Sequence, residues 1–407
     1  MKKIELLAPA GDMTKLKTAF YFGADAVYIG GKKFSLRALA GNFDDNEMLE
    51  AVNFAHSINK KVYVTVNIFA RNYDFIEAEE YFKFLEKIGV DGVIISDVGL
   101  IVAAKKVAPN LSINLSTQSN TLNYRAVEFW KEQGVKRVIL ARELSLKEIS
   151  EINKKVPDIE IETFIHGAMC ISYSGRCLLS DYRTGRSSNR GACVQACRWN
   201  YEIREKGSNG AFMEMEEDER GTYILNSKDL NLIEYISELS NAGVCSFKIE
   251  GRMKSKYYLA TVINAYRRAI DEFYDKGENY KKNNLYLNEL EKTAHREFTT
   301  AYLLGENDRT ENFNDSQSKG SYKFIAVVKD YNKKEGYALI EMRNRFKVGD
   351  KLQVLSPNDY FNSEIIVDKM LDEKNNVVLD AKNVQQILKL YTDIPLNSGD
   401  MLRMENL

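Results

Sequence analysis

Lys61-Val-Tyr-Val-Thr-Val66, then Ile76–Ile88, then Gly92-Val-Ile-Ile95 is the stretch that decides the fold. The two outer runs are short, apolar and rich in β-branched residues, the composition of buried strands. Between them apolar residues return every three or four positions, which predicts an amphipathic helix. A strand, a helix and a second strand in 35 residues is the length of a parallel crossover and far too long for a hairpin. Working outward, the same unit recurs. Strands are expected at Ile4–Leu7, Ala26–Ile29, Lys61–Val66, Gly92–Ile95, Ile113–Leu115, Arg137–Leu140, Glu160–Phe164 and Ser246–Ile249, with helices such as Met13–Phe22 and Asp45–Ile58 between. Eight such units in about 250 residues predict an α/β fold of the closed (β/α)8, TIM-like kind. An open doubly wound sheet is the alternative, and the absence of a Gly-x-Gly-x-x-Gly turn weighs against it.

The interval from about Ile165 to Cys245 is too long for an ordinary crossover and reads as an insertion after the seventh strand, at about 165–245, inside a barrel domain covering 1–304. It holds a predicted hairpin, Asn200–Glu205 with Ala211–Glu216. Helices are expected at about Lys254–Asp275 and Leu287–Glu297. A polar linker at 305–320 leads to a small β-barrel domain at 321–407, with strands Lys323–Val328, Tyr337–Glu341, Lys351–Val354, Ile365–Lys369 and Val377–Leu379.

The 407-residue chain carries 57 Lys+Arg against 58 Asp+Glu, is 44% hydrophobic and 28% charged. These values fit a folded globular protein and argue against global disorder. No apolar run approaches the roughly 20 residues of a membrane span. The opening Met-Lys-Lys-Ile-Glu-Leu-Leu-Ala-Pro9 is too short in its apolar part for a signal peptide. A cytoplasmic protein is therefore expected. With five Cys in that compartment, structural disulfides are not expected.

In a barrel of this kind the chemistry sits at the carboxyl ends of the strands. The polar residues there are Pro9-Ala-Gly11, Gly30-Gly31, Asn67, Ser96-Asp97, Ser116-Thr-Gln118, Arg142-Glu143, His166, and Lys248, Glu250 and Arg252. His166, Asn67, Gln118 and Glu250, with Glu162 in the seventh strand, are the candidates for catalysis. Arg142, Lys228, Lys248 and Arg252, with Arg37, would suit an anionic small molecule. Many of these side chains would equally serve as helix caps or pair with one another. Of the three His, His56 and His295 fall in or near helices. There is no His-Glu-x-x-His, no Gly-x-Ser-x-Gly and no phosphate-binding Walker loop.

Four of the five Cys lie within 28 residues, spaced Cys170-x6-Cys177-x15-Cys193-x3-Cys197. Four thiolates this close can converge on one soft metal centre, either a structural zinc or an iron–sulfur cluster. Neither pair has the tight Cys-x2-Cys knuckle of a zinc ribbon, which leans to iron–sulfur without excluding zinc. Cys245 reads as a core residue. Arg176, Arg183, Arg186, Arg190 and Arg198 crowd the same segment, interleaved with Tyr173, Tyr182, Trp199 and Tyr201. Arginine among aromatics suits contact with RNA phosphates and bases; it would also neutralise a thiolate cluster. The candidates for RNA contact are Arg183, Arg186, Arg190, Arg198 and Trp199.

The run Glu162-Thr-Phe-Ile-His-Gly-Ala-Met-Cys170-Ile-Ser-Tyr-Ser-Gly-Arg-Cys177-Leu-Leu-Ser180 resembles the signature of the collagenase-like family of peptidases of unassigned catalytic type. So do Leu6-Leu-Ala-Pro-Ala-Gly11, Gly30-Gly-Lys-Lys-Phe-Ser-Leu-Arg37, Arg142-Glu-Leu-Ser145, Asn226-Ser-Lys-Asp-Leu230 and Lys248-Ile-Glu-Gly-Arg-Met253. The C-terminal β-domain resembles the family's accessory domain. The family label implies proteolysis, but the chain has no protease constellation. Resemblance to the family's tRNA hydroxylation proteins implies a 4Fe-4S cluster held by Cys170, Cys177, Cys193 and Cys197. It also implies oxygen-independent 5-hydroxylation of wobble uridine, with prephenate, a small dicarboxylate, as the hydroxyl source. The Arg-aromatic insertion and the β-domain would then hold the tRNA anticodon arm. A paralogous protein partner or a homo-oligomer is left open, as are the two other readings: a peptidase, and a non-catalytic RNA-binding protein with a structural zinc.

Overall fold

The computed structural model describes residues 3–35, 41–169, 228–305 and 320–406, together with 176, 179–184, 186, 190, 194 and 196. The predicted barrel is there. Strands β1 (Glu5–Pro9), β2 (Ala26–Gly30), β3 (Lys61–Val66), β4 (Gly92–Ile95), β5 (Ile113–Leu115), β6 (Arg137–Ile139) and β7 (Glu160–Ala168) pair in sequence order, all parallel. Strand β9 (Val244–Ile249) lies parallel to both β1 and β7 and closes the ring.

Most of the helices that follow the strands open on a side chain that accepts from the first turn. Asp12 caps α1 (Met13–Tyr21), Asp97 caps α4 (Val98–Val107) and Asn123 caps α5 (Tyr124–Glu132). Asp44 with Glu47, and Ser145 with Glu148, form capping boxes before α2 (Asp45–Ser57) and α6 (Leu146–Lys155). The stretch that decided the fold holds α3 (Phe75–Lys87), whose Ala78, Phe82 and Leu85 are buried against the wall.

Four expectations need correction. The insertion is shorter than 165–245: β7 runs on to Ala168, and β8 (Asp229–Asn231) pairs antiparallel with its end. Helix α8 (Ile236–Asn241) then serves as the ordinary crossover into β9. The three-residue β8 was too short for any periodicity to show. Second, the helix expected at Leu287–Glu297 is α10 (Asn284–Leu290); the chain then turns into the short strand β10 (Phe298–Thr299) beside β8. Third, Val377–Leu379 is no strand: Val377 makes an isolated bridge to Leu371.

Fourth, the C-terminal domain has more strands than expected. β11 (Tyr322–Asn332), β12 (Tyr337–Met342), β14 (Lys351–Leu355), β15 (Glu364–Ile366), β16 (Met370–Asp372), β18 (Ile387–Tyr391) and β19 (Met401–Glu405) make one antiparallel sheet in the order β15-β14-β19-β11-β12-β18-β16. A ribbon of β13 (Phe346–Lys347) and β17 (Asp380–Ala381) shares its core. The two end strands, β15 and β16, are successive stretches of one bent segment that pairs with β14 at its start and with β18 at its end, so the sheet closes on itself as the expected small barrel.

This domain is fixed to the barrel. The Arg403 guanidinium makes a two-pronged pair with Glu289 of α10, both fully buried. Tyr257 of helix α9 (Lys256–Lys276) stacks on Phe324 at 5.5 Å. Most of the predicted linker, 306–319, and the predicted hairpin lie outside the described residues. No described helix is long and apolar enough to cross a membrane.

Candidate functional site

Strand parity sorts the barrel wall. One set of alternating residues packs in the shell between strands and helices; Leu7, Ala26, Tyr28, Tyr63, Ile94, Ile139 and Phe164 form a separate, smaller cluster in the lumen. The rest of the lumen is polar, whereas barrels of this type are usually filled by branched apolar side chains.

At the carboxyl ends of β3, β4 and β5 a polar belt forms. Asn67 Nδ2 donates to Gln118 Oε1 at 2.8 Å, and Ser116 Oγ donates to the same oxygen at 3.2 Å. Ser96 Oγ donates to the Asn67 carbonyl and Ser119 Oγ to the Ser96 carbonyl. Asn67 and Gln118, each expected at a strand end, are thus brought together. Asp97 is a helix cap, accepting from Leu100 N.

Across the mouth, Arg252 is buried and donates to Thr65 Oγ1 (3.2 Å) and Ser35 Oγ (2.9 Å). Its guanidinium fills the space over Gly30: a Cβ there would lie 2.0 Å from Arg252 Nη1. This is the physical demand behind the first glycine of Gly30-Gly31. Tyr28 donates to the Ile249 carbonyl at 3.0 Å, and its hydroxyl lies 3.3 Å from Glu250 Oε2. Arg142 donates to the Ala168 carbonyl at 3.0 Å and lies over the Phe164 ring. Gly167 has φ +109, and a Cβ there would meet the Glu250 carbonyl at 2.5 Å, so β7 and β9 approach closely at the rim.

Glu162 and Lys248 are not at the mouth. They face the lumen as a buried pair, 2.9 Å apart. Glu162 also accepts from Arg137 at 3.0 Å, and Arg137 bridges to Glu5 and Glu160. Burial pushes the Glu162 carboxyl up, but Lys248 and Arg137 outweigh it and hold the group below the usual carboxylate range. Lys248 Nζ sits 4.5 Å from the Tyr28 ring centroid. The signal was in the sequence: Glu160 and Glu162, and Ser246 and Lys248, alternate at period two within apolar strands.

His166 is buried outside the ring, with its imidazole among Tyr258, Tyr266 and Phe298. Burial pulls its pKa down to about 3, so it is neutral at neutral pH. Lys228 pairs with Glu297 at 2.7 Å, near β8 and β10. The cations expected to gather on one anion are therefore dispersed: Lys248 in the lumen, Lys228 with Glu297, Arg252 over Gly30 and Arg142 over Phe164.

Two described residues between β7 and β8 bond to the loops at the mouth. Arg176 Nε donates to the Gln118 carbonyl at 2.9 Å, beside β5. Arg190 donates to the Phe69 carbonyl at 2.7 Å and makes a two-pronged pair with Asp74, beside β3. The bond from Val194 N to Ser180 Oγ ties the segment's two halves together. Arg190, expected on RNA, is thus an anchor that sequence reasoning did not recognise, and Asp74 is its unforeseen partner. Arg183 and Arg186 are exposed. Cys170, Cys177, Cys193, Cys197, Arg198, Trp199 and Arg37 lie outside the described residues.

The peptidase family U32 model matches residues 11–312, and the model of that family's C-terminal domain matches 320–403. The tRNA hydroxylation protein P1 of Bacillus subtilis is 43% identical over 99% of this chain and 95% of its own. The 23S rRNA 5-hydroxycytidine C2501 synthase of Escherichia coli is 34% identical over 74% of this chain and 45% of its own. The solved structure of the U32 peptidase Mk0906 is 14% identical, covering 62% of this chain and 94% of that one at a TM-score of 0.43. The two matched models divide the chain where the barrel ends and the antiparallel sheet begins, and the chain belongs to peptidase family U32.

Proposed function

We propose that this chain is a tRNA-modifying enzyme that installs a hydroxyl at C5 of wobble uridine, without oxygen, taking the hydroxyl from prephenate. The likeness to a tRNA hydroxylation protein along nearly the whole chain supports hydroxylation of tRNA. The observation that carries the reading is the anchoring at the mouth: Arg176 and Arg190, one residue before Cys177 and three before Cys193, are bonded to the ends of β5 and β3.

Cys170, Cys177, Cys193 and Cys197 would hold a 4Fe-4S cluster. The donor set fits, because four thiolates are the usual ligands of such a cluster. When bound it supplies one-electron redox chemistry. Replacing C5–H by C5–OH is a two-electron oxidation of the base, matched by reduction of the hydroxyl donor. The chain's own residues hold and orient. The Asn67–Gln118 amide pair is fixed at the rim, and Glu250 beside the Tyr28 hydroxyl can hold a proton there. The exposed Arg183 and Arg186 and the β-domain would meet the anticodon arm, and the tRNA substrate places the enzyme in the cytoplasm.

The test is complementation of a bacterial strain lacking tRNA uridine hydroxylation. The wild-type chain restores 5-hydroxyuridine by nucleoside mass spectrometry, and protein purified anaerobically is brown, with close to four irons per chain. Cys193→Ser loses both. Full modification by that variant, or zinc without iron in the wild type, refutes the reading.

A further inference from the structure

The loop that follows β5 contains an unusual set of atoms. Gln118 Nε2, Asn120 Nδ2 and Thr121 Oγ1 are all buried and have no hydrogen-bond partner among the described residues. Gln118 and Thr121 are 3% and 1% exposed. A buried polar atom without a partner costs on the order of 1–3 kcal/mol, and native structures have few of them. Three within four residues, at the carboxyl end of a barrel strand, are difficult to explain by folding alone.

Their chemistry is one-sided. Gln118 Oε1 is already saturated by Asn67 Nδ2 and Ser116 Oγ, which fixes the amide with its NH2 as the unused end. Asn120 also offers an NH2, from a left-handed backbone (φ 48), a conformation that costs energy for most residues but that Asn tolerates. The Thr121 hydroxyl can donate as well. The loop is braced on both sides: Arg176 donates to the Gln118 carbonyl, Thr117 Oγ1 to the Leu140 carbonyl, and Ala141 N to the Thr121 carbonyl. That last pair of bonds sets the loop beside Arg142. One cation, Arg176, is thus bonded to the loop's backbone, and the unused groups are donors.

A ligand edge that only accepts fits such a set. A uracil edge does not, since its N3–H would face donors. We infer that Gln118, Asn120 and Thr121 form the binding cradle for a carboxylate of a small organic acid. This rests on the proposed hydroxylation, in which that acid is the hydroxyl donor. It assigns the recognition of the acid to amides and a hydroxyl rather than to the dispersed Lys228, Lys248 and Arg252. Asn120 and Thr121 are positions that reading the sequence for charge passes over.

The experiment titrates prephenate into the full-length, anaerobically prepared protein in the absence of tRNA, and measures tRNA affinity separately. Gln118→Glu keeps the oxygen that Asn67 and Ser116 hold and sets a second, negative oxygen where the NH2 was. It weakens prephenate binding at least tenfold, with tRNA affinity unchanged. Thr121→Val, nearly isosteric, weakens it threefold to tenfold and leaves the melting temperature within about 2 °C. Unchanged prephenate affinity in both variants overturns the inference. So does a loss of tRNA affinity instead, which would make the loop a nucleotide reader, and so does a wild-type protein that binds no prephenate. Prephenate binding that responds as expected, in a protein that never yields hydroxyuridine, overturns the proposed reaction and leaves the cradle standing.

Discussion

The barrel treats its polar residues in opposite ways at its two ends. In the lumen, Lys248, Glu162, Arg137, Glu5 and Glu160 form an unbroken series of ion pairs in which each carboxylate faces a cation. At the mouth, the loop after β5 leaves three buried polar atoms without a partner among the described residues. The buried charges of the lumen are tolerable only because they are paired. The orphaned amides of the mouth carry a cost that folding does not recover and a ligand can. Saturation thus marks what holds the lumen together, and three unpartnered groups clustered within one loop mark where the mouth can meet another molecule.

The first way to break this comparison is Glu162→Gln. Lys248 would lose its carboxylate and Arg137 one of three. Removing one partner of a buried pair costs about 3–5 kcal/mol, read as a lower midpoint in guanidinium unfolding. The double change Glu162→Leu with Lys248→Met recovers most of that loss, because two apolar side chains leave no charge stranded. A loss under about 1 kcal/mol for the single variant would mean that water enters the lumen, and the contrast between the ends would fail.

A second test uses pH. His166 is held neutral by burial with a pKa of about 3, against Asp229, which favours the proton, and His295 and Lys254, which oppose it. In the unfolded chain the imidazole titrates near 6.5. Its folded value is depressed, so protons favour the unfolded state: stability is full above about pH 6.5 and falls as pH drops toward 3. The slope from this one group is at most about 1.4 kcal/mol per pH unit. His166→Phe, which suits the cage of Tyr258, Tyr266 and Phe298, flattens the decline between pH 6.5 and 4.5. An unchanged slope would mean the imidazole is not buried neutral, and would return His166 to the candidates for proton transfer at the mouth.

Most of the eight barrel strands were legible because a short apolar run is followed by a periodic helix, and Lys61–Val66 and Gly92–Ile95 fall where the pattern puts them. β8, with three residues, and β18, whose buried Leu388 and Leu390 alternate with half-buried neighbours, were missed. Such short strands are defined by long-range pairing rather than by local composition. Position along the chain located the mouth, since any residue just after a barrel strand lies there. It did not reveal direction. Glu162 and Lys248 share a strand with mouth residues yet point into the lumen, and only parity separates them. Nor could it reveal saturation: whether Gln118 has a spare donor depends on Asn67, 51 positions earlier.

The smallest expected effect sharpens the comparison at its boundary. Arg190 belongs to the mouth by location but is already bonded to Asp74 and the Phe69 carbonyl. Arg190 beside it holds the Asp74 carboxyl below its usual range. By the rule drawn above it is an anchor, not a contact for substrate. Arg190→Lys keeps the charge and loses the two-pronged geometry. Because the pair is partly exposed, global stability should fall by less than about 1 kcal/mol. The local effect is larger, since among the described residues Arg190 is the side chain that bonds this segment to the β3 end. Limited proteolysis should cut the segment between β7 and β8 several times faster than in the wild type, while affinity for tRNA stays the same. A variant that resists proteolysis normally but binds tRNA more weakly would put Arg190 on the RNA after all, and would show that a side chain already bonded at this mouth can still be a binding residue.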